Sequence, residues 1–324
     1  MSVAVVTDST AYLPAALVER YDVEVVPLYV ILAGRSGREG SDVTPDEVAR
    51  ALAVRGGQVT TSRPTPGDFV AAYRRRLMAG AERIVSVHLS GELSSTGDAA
   101  RLAAAQVGEH LVTVLDSRSA AMGTGFAVLA AARAAADGAD AQQVASAARD
   151  TAAGARVFFV VDTLDHLRRG GRIGSAAALL GGALAVKPVL HMVDGRVVPL
   201  EKVRTSSRAL HRIVQRAVDA AGGGPVGVAV HHLAAPERAQ RLAEQLTARL
   251  PDVRELHVSE LGAAVGAHVG PGAVGVVIDP SRSGMTAEGH QGPEGAETDG
   301  PQTGSGRPGA PGQDADAFAE YGAD

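Results

Sequence analysis

Four short polar segments of this 324-residue chain each follow an apolar element and are rich in hydroxyl or glycine residues, which could bind a negatively charged ligand. They read TDST at 7–10, TTSRPTP at 60–66, LSGELSSTG at 89–97 and GAAVGAHVGPG at 262–272. Thr61 and Ser62 precede the residues that would cap the next helix, so their hydroxyls are free to donate hydrogen bonds to a ligand. Ser94 lies just before a predicted helix, where unpaired N–H groups and the helix dipole favour an anion.

The last of these segments adds a histidine. His268 stands among glycines that let backbone approach a ligand closely, and its ring can donate to a carboxylate. We expect His268 to lie in a loop. Each segment also has a structural alternative, because hydroxyl residues cap helices and a loop histidine can bond to nearby backbone.

Arginines form a second group of candidates. The stretch 168–174 reads RRGGRIG and contains Arg172, while Arg204 follows a predicted hairpin. Guanidinium groups suit phosphate and carboxylate recognition, and the alternative is an ordinary solvated run of charge.

The elements that must position these residues follow two patterns. The first half alternates apolar strands with helices, which predicts a mostly parallel sheet. In the second half Asp194-Gly195 separates two apolar runs, a strong hairpin signal that predicts a mixed sheet. We therefore predict an α/β fold with two α/β domains at 1–155 and 156–282. We also expect a single strand over 23–32 and a helix over 175–184.

Composition excludes several classes of protein. The chain has no cysteine, which rules out disulfides and Cys-ligated metals, and its histidines lack metal-site spacing. The stretch 283–324 holds eight acidic residues and one basic residue, a charge of −7, so the rest carries +2 of the total of −5. That part lacks the basic field that nucleic-acid binding needs. The stretch 283–324 is also rich in Gly and Pro, and we predict a disordered tail. With no targeting segment or membrane span visible, we expect a cytoplasmic protein.

Six short motifs follow one another along the chain: VVTDS at 5–9, TS-x-P at 61–64, LS-x-x-LS-x-T at 89–96, DS at 116–117, RGGRI at 169–173 and G-x-H-x-GPG at 266–272. They resemble the ordered motifs of the DegV family of bacterial fatty-acid-binding proteins. Each motif is weak alone, but six in the same order over Val3 to Asp279 are specific. The resemblance implies two α/β domains with a lipid pocket between them, and it implies a fatty-acid-binding subunit of a fatty acid kinase.

The resemblance also implies roles for individual residues. Thr61, Ser62, Ser94 and His268 would hold the carboxylate of a long-chain fatty acid, and Arg172 and Arg204 would contact the acyl phosphate or the kinase. An aliphatic tunnel, which the run 176–185 could line, would bury the tail. No cofactor or metal is implied, catalysis would belong to the separate kinase, and transient contact with a membrane surface is compatible with this role.

Other functions stay open at this stage. One alternative is a lipid-sensing regulator without a kinase partner. Another is a hydrolase or acyltransferase using Ser94 and His268 with Asp8 or Asp116, although no G-x-S-x-G turn is present. A phosphotransferase is disfavoured because the chain has no G-x-x-x-x-G-K-[ST] loop.

Overall fold

The computed structural model describes residues 2–54, 57–179 and 187–280, and in this part strands alternate with helices. The strands are β1 Val3–Asp8, β2 Glu24–Val26, β3 Tyr29–Leu32, β4 Arg35–Arg38, β5 Val59–Ser62, β6 Arg83–His88, β7 Val112–Asp116, β8 Arg156–Val160, β9 Lys187–Val193, β10 Arg196–Val203, β11 Val226–His232, β12 Val253–Glu260 and β13 Val274–Asp279. The helices are α1 Ala15–Arg20, α2 Pro45–Ala53, α3 Pro66–Met78, α4 Thr96–Val107, α5 Met122–Ala136, α6 Ala141–Gly154, α7 Asp165–Arg169, α8 Ser206–Ala221, α9 Pro236–Thr247 and α10 Ala263–Val269. Short 3-10 helices cover Ser9–Ala11 and Gly174–Leu179.

The first half contains a parallel sheet with the strand order β2-β1-β6-β7. One face packs on α5 and α6, where Val5 and Val85 are buried with alanines and valines of both helices. The other face packs on α3 and α4, where Val6 and Ile84 are buried against Phe69. Because helices cover both faces, these strands bury apolar side chains on both sides of the sheet. The predicted parallel sheet is confirmed.

A small antiparallel sheet with the order β4-β3-β5 follows the parallel one. The prediction of one strand over 23–32 is wrong, because the chain leaves the parallel sheet after Val26 and enters the small sheet at Tyr29. Pro27 stands between the two strands and has no N–H to donate to a ladder. Strand β5 also places Thr61 and Ser62 on a sheet edge rather than in a loop.

The second half forms a mixed six-stranded sheet with the order β10-β9-β8-β13-β11-β12. Only β11 and β12 pair in parallel among its described strands. Asp194 and Gly195 turn the β9–β10 hairpin with φ of 50° and 80°, as the Asp-Gly signal predicts. Helices α8 and α9 bury one face of this sheet, and its other face looks towards the first half of the chain. The predicted mixed sheet is confirmed.

Two further elements differ from the predictions. Residues 263–269 form helix α10, so His268 lies on a helix and the prediction of a loop is wrong. Within the predicted helix 175–184, the described residues up to 179 form a 3-10 helix and the remainder lies outside the described residues.

Domain boundaries and the tail stay predictions. The six-stranded sheet begins at Arg156, next to the predicted boundary, while the described residues belong to one compact unit. The predicted disordered tail at 283–324 lies outside the described residues. No helix in the described ranges has the length and apolar character needed to cross a membrane.

A chain of buried polar side chains runs through the parallel sheet. The Tyr73 hydroxyl lies 2.9 Å from Ser86 Oγ, which lies 2.7 Å from His88 Nε2, and His88 Nδ1 lies 3.0 Å from Asp8 Oδ2. Asp8 also accepts from the backbone N–H of Leu89 at 3.1 Å. Buried polar groups need partners of this kind, so the chain ties the end of β1 to the loop that follows β6.

Removing the Tyr73 hydroxyl from this series of buried hydrogen bonds should lower the stability of the protein. We expect Tyr73→Phe to reduce the free energy of unfolding by about 0.5–1.5 kcal/mol, because Ser86 loses a buried hydrogen bond. Urea unfolding followed by circular dichroism measures the change. Tyr29→Phe is the matched control, since its partly exposed hydroxyl makes a longer bond of 3.3 Å to Asp68. An equal loss of unfolding free energy in both variants would contradict a special role for the buried series of hydrogen bonds.

Candidate functional site

An apolar cavity lies between the open face of the six-stranded sheet and the first half of the chain. Its floor includes Val157, Phe159 and Val277, and its other walls include Leu89 and Val265. The space between the lining atoms is about 1050 Å³, including the part open to solvent, and the centres of water molecules can occupy only about 140 Å³ of it. Most of the space therefore lies close to the lining atoms, and such a narrow cavity suits an unbranched chain.

The β9–β10 hairpin supplies one wall of the cavity through Met192 and Val197. Its tip rests on the loop after β6, where Ser90 Oγ donates to Gly195 O at 2.8 Å. A side chain at Gly195 is excluded, because a Cβ there would lie 2.3 Å from Ser90 Oγ. An ion pair between Arg196 and Glu92 at 2.8 Å adds to this contact at the surface.

Polar groups gather at one end of the cavity. Thr61 Oγ1 and His268 Nε2 lie 2.8 Å apart, although 207 positions separate them in the chain. Burial, and secondarily the nearby Arg172 guanidinium, lowers the pKa of His268 to about 4, so the ring is neutral at neutral pH. Its Nδ1 is buried without a hydrogen-bond partner in the described part of the chain.

The surroundings of His268 select one form of the neutral ring. A neutral imidazole has one N–H donor and one acceptor nitrogen. A buried N–H without an acceptor is costly, so we assign the proton to Nε2, where it is donated to Thr61 Oγ1. The Thr61 hydroxyl then keeps its own proton for a group in the cavity.

Ser94 lies at the same end, in the turn that precedes α4. Its backbone N–H donates to Ser90 O at 3.1 Å, and its hydroxyl lies 2.9 Å from that of Thr96. The neighbouring Ser95 accepts from the guanidinium of Arg63, which also lines the cavity. Thr61, Ser94 and His268, predicted from separate motifs, therefore border one cavity end.

Arg172 joins this end from the second half of the chain. Its Nε donates to Leu93 O at 2.9 Å and its Nη1 to Gly170 O, which fixes the turn holding Ser94 against the segment after α7. Arg172, Thr61 and His268 also line a second and more polar cavity, which includes His166 and Arg169. No acidic side chain lines either cavity within the described ranges.

The other two predicted residues are more exposed. Ser62 lines the cavity, but its side chain is turned to solvent and its hydroxyl donates to Arg63 O at 3.3 Å. Arg204 is exposed, lies outside the lining of both cavities and makes no hydrogen bond or ion pair to the residues that the structure describes. Residues 174–178 do not line the apolar cavity either, and the side chains of 179–186 lie outside the described part of the structure.

Helix α10, which carries His268, is held by residues that the sequence did not single out. Its N-cap residue Gly262 gives no side-chain hydrogen bond, and Glu39 instead accepts from Ala264 N at 2.7 Å. The Tyr12 hydroxyl accepts from Val265 N at 3.1 Å and donates to Glu39 Oε1 at 3.0 Å. Burial raises the pKa of Glu39 and also that of Tyr12.

A hydrolytic triad does not assemble in this geometry. Ser94 and His268 are not hydrogen-bonded to each other in the described structure, since each bonds to a threonine. Asp8 is engaged by His88, and Asp116 accepts from the backbone N–H groups of Gly91 and Arg118. Neither acid therefore orients His268, as a triad requires.

The chain is similar to a known protein family and to several of its members. The family model described as an uncharacterised protein of the DegV family matches residues 2–281. A DegV domain-containing protein of Streptomyces coelicolor is 53% identical over 276 residues, which cover 85% of this chain and 98% of that protein.

Two solved structures have the same fold. The first, from Thermus thermophilus and described as fatty acid binding of a DegV family protein, has a TM-score of 0.82 and 36% identity, covering 86% of this chain and 99% of the other. The second, DegV from Bacillus subtilis, described as a fatty acid binding protein, has a TM-score of 0.78 and 35% identity, covering 86% and 99%.

The lowered pKa of His268 predicts a pH dependence of stability. The unfolded chain protonates this histidine near its usual pKa of about 6.5, whereas the folded chain resists protonation down to about 4. Between these values the unfolded state binds more protons, so stability should fall as pH falls through this window. We expect His268→Asn to flatten the pH profile of the unfolding free energy from pH 6.5 to 4. An unchanged slope would contradict a buried neutral His268.

Proposed function

Because this chain belongs to the DegV family, we propose that it binds a long-chain fatty acid and presents the carboxylate to a separate kinase, which forms the acyl phosphate. The observation that carries the proposal is the narrow apolar cavity with Thr61, Ser94 and His268 at one end. In this role the chain is a carrier, and the chemical step belongs to the kinase. We propose that it acts in the bacterial cytoplasm.

The apolar part of the cavity accounts for the tail. Burying about 15 methylene-sized groups contributes on the order of 12 kcal/mol, at about 0.8 kcal/mol per CH₂. Loss of translational freedom and ordering of the chain remove several kcal/mol of this gain. An aliphatic cavity therefore supports tight binding without a cofactor, and the walls here are dominated by Val, Leu, Ala and Phe.

The polar end accounts for the head group. A carboxylate cannot enter an apolar cavity without partners, since an unpaired buried charge is very costly. The Thr61 hydroxyl, held by His268, has a proton to donate, and Ser94 supplies a second hydroxyl. Ser62 borders the same opening, and the lack of acidic lining residues among those described avoids repulsion of the anion.

Two arginines support the proposed transfer of a phosphoryl group to the carboxylate. Arg172 uses Nε and Nη1 on backbone carbonyls, and Nη2 makes no hydrogen bond to the described residues. We propose that it meets the phosphoryl group as the acyl phosphate forms, since guanidinium groups bind phosphate oxygens well. Exposed Arg204 is proposed to contact the kinase.

Native mass spectrometry of the purified protein, followed by lipid extraction, tests the proposal. A retained or added fatty acid at one molecule per chain is the expected result. A protein that neither retains nor takes up fatty acids would overturn it. Fatty-acid binding without phosphorylation by any fatty acid kinase would instead favour a lipid-sensing regulator.

Loss of a head-group hydroxyl should weaken binding. We expect Ser94→Ala and Thr61→Ala each to reduce fatty-acid affinity by about 1–3 kcal/mol, or roughly 5- to 150-fold, because the carboxylate loses a donor. Titration with a fluorescent fatty acid measures the change. Ser146→Ala, on the exposed face of α6, is the control and should bind like the wild type. Normal binding by both site variants would remove these residues from the head-group site.

Arg204→Ala should separate binding from phosphorylation. Because this side chain is exposed and outside the cavity lining, we expect normal fatty-acid affinity but a reduced rate of acyl-phosphate formation with the kinase. Parallel binding and kinase assays make the comparison. Loss of lipid binding in this variant would show that the proposed division of roles is wrong.

A further inference from the structure

A glycine occupies the second position of β13, one of the two central strands of the six-stranded sheet. Gly275 is paired on one side with β11 and on the other with β8. Glycine weakens a strand interior because it costs more backbone entropy and offers no side chain to pack. Its φ is outside the left-handed region, so backbone conformation does not require glycine here. The reason must lie in the space next to its α-carbon.

That space belongs to the apolar cavity. In the antiparallel registers Gly275 faces His231 on one side and Phe159 on the other, and paired residues point to the same face of a sheet. All three residues line the cavity. Gly275 and Phe159 are partly accessible although strands flank them on both sides, and the cavity explains this accessibility.

The flanking His231 ring is fixed by two hydrogen bonds. His231 is buried, its Nε2 accepts from Met122 N at 3.3 Å, and its Nδ1 lies 3.1 Å from Ser259 Oγ. Both nitrogens are therefore occupied, and the ring acts as a wall rather than as a free polar group. A Cβ at Gly275 would lie 3.1 Å from Phe159 Cβ, so a side chain added at Gly275 would be in tight contact with Phe159.

This row, His231–Gly275–Phe159, stands between two apolar clusters. On one side are Ala273 and its neighbours, close to the polar end of the cavity. On the other side Val157 and Val277 pack with Met122 and Phe126 of α5. Phe159 packs against both clusters. At about 3.4 Å per residue, Val277 lies roughly 7 Å beyond Gly275 along the strand.

We propose that Gly275 is a specificity-determining residue that sets the length of acyl chain the protein accepts. The absent side chain leaves a gap between the two rings, and a straight chain passes through it to the inner part of the cavity. A side chain at this position closes the gap, so that only the carbons before the row are buried. This inference rests on the proposed function and extends it to the choice of acyl chain.

Binding of saturated fatty acids with 10 to 18 carbons tests the proposal. In the wild type, affinity should rise with chain length, since each buried CH₂ contributes about 0.8 kcal/mol, or roughly fourfold. In Gly275→Val the rise should stop at a shorter chain, and the ratio of the 18-carbon to the 10-carbon affinity should fall at least tenfold. Gly275→Ala should give an intermediate ratio, and adding Phe159→Ala to it should restore the wild-type ratio by opening the row.

The control is another crowded strand glycine. In β4, a Cβ at Gly37 would lie 2.9 Å from Val43 Cγ2, and Gly37 is outside the cavity lining. Gly37→Ala should lose stability but keep the wild-type affinity ratio. Thermal unfolding shows whether each variant folds. If Gly275→Val fails to fold, the affinity ratios of Gly275→Ala and of its combination with Phe159→Ala test the inference.

Two outcomes would overturn the inference. One is a folded Gly275 variant with the wild-type ratio, and the other is an equal shift in Gly37→Ala. A wild type that binds no fatty acid of any length would overturn the proposed function as well. If the wild type binds fatty acids normally but the Gly275 variants keep the wild-type ratio, only the inference fails and the proposed function stands.

Discussion

The hydrogen bonds accepted by Glu39 hold the polar end of the cavity together. This carboxylate is buried and takes donors from Ser9, Tyr12 and the backbone of Ala264. It thereby joins the loop after β1, the small sheet and helix α10. A seven-residue helix is unstable by itself, so its place depends on such tertiary contacts. The position of His268, and through it the orientation of Thr61, follows from a residue more than 200 positions away.

The cavity has a large apolar part and a polar end. Aliphatic and aromatic side chains from the open face of the six-stranded sheet line most of it, while hydroxyls, a neutral histidine and arginine cluster at one end. The lowered pKa of His268 fits this arrangement, because a neutral ring can donate a hydrogen bond to Thr61 without placing a charge beside the apolar lining. The row through Gly275 divides the apolar part again, so strand pairing itself shapes the space that a ligand chain can fill.

The failures of prediction have physical causes that lie in long-range contacts. The pattern of helix α10 predicts a loop because Gly262, Gly266 and Gly270 lower helix propensity, and the groups that hold its first turn are distant in sequence. The sequence gives no strand signal for β5, because VTTS is short and half exposed, and pairing with β3 makes it a strand. His231 gave no signal as a cavity residue, since its strand looks like any buried strand until the face it presents is known.

The sequence by itself determined the α/β class, the parallel and mixed sheets, the Asp194-Gly195 hairpin and the family. These features rest on local signals: periodicity of apolar residues, capping residues, turn chemistry and the order of short motifs. It also named Thr61, Ser94 and His268 one by one. Only the tertiary structure decided that they meet at one cavity end, that His268 bonds to Thr61 rather than to Ser94, and that Gly275 opens the floor. Such contacts join residues far apart in the chain, and no local pattern encodes which face of one element will meet another.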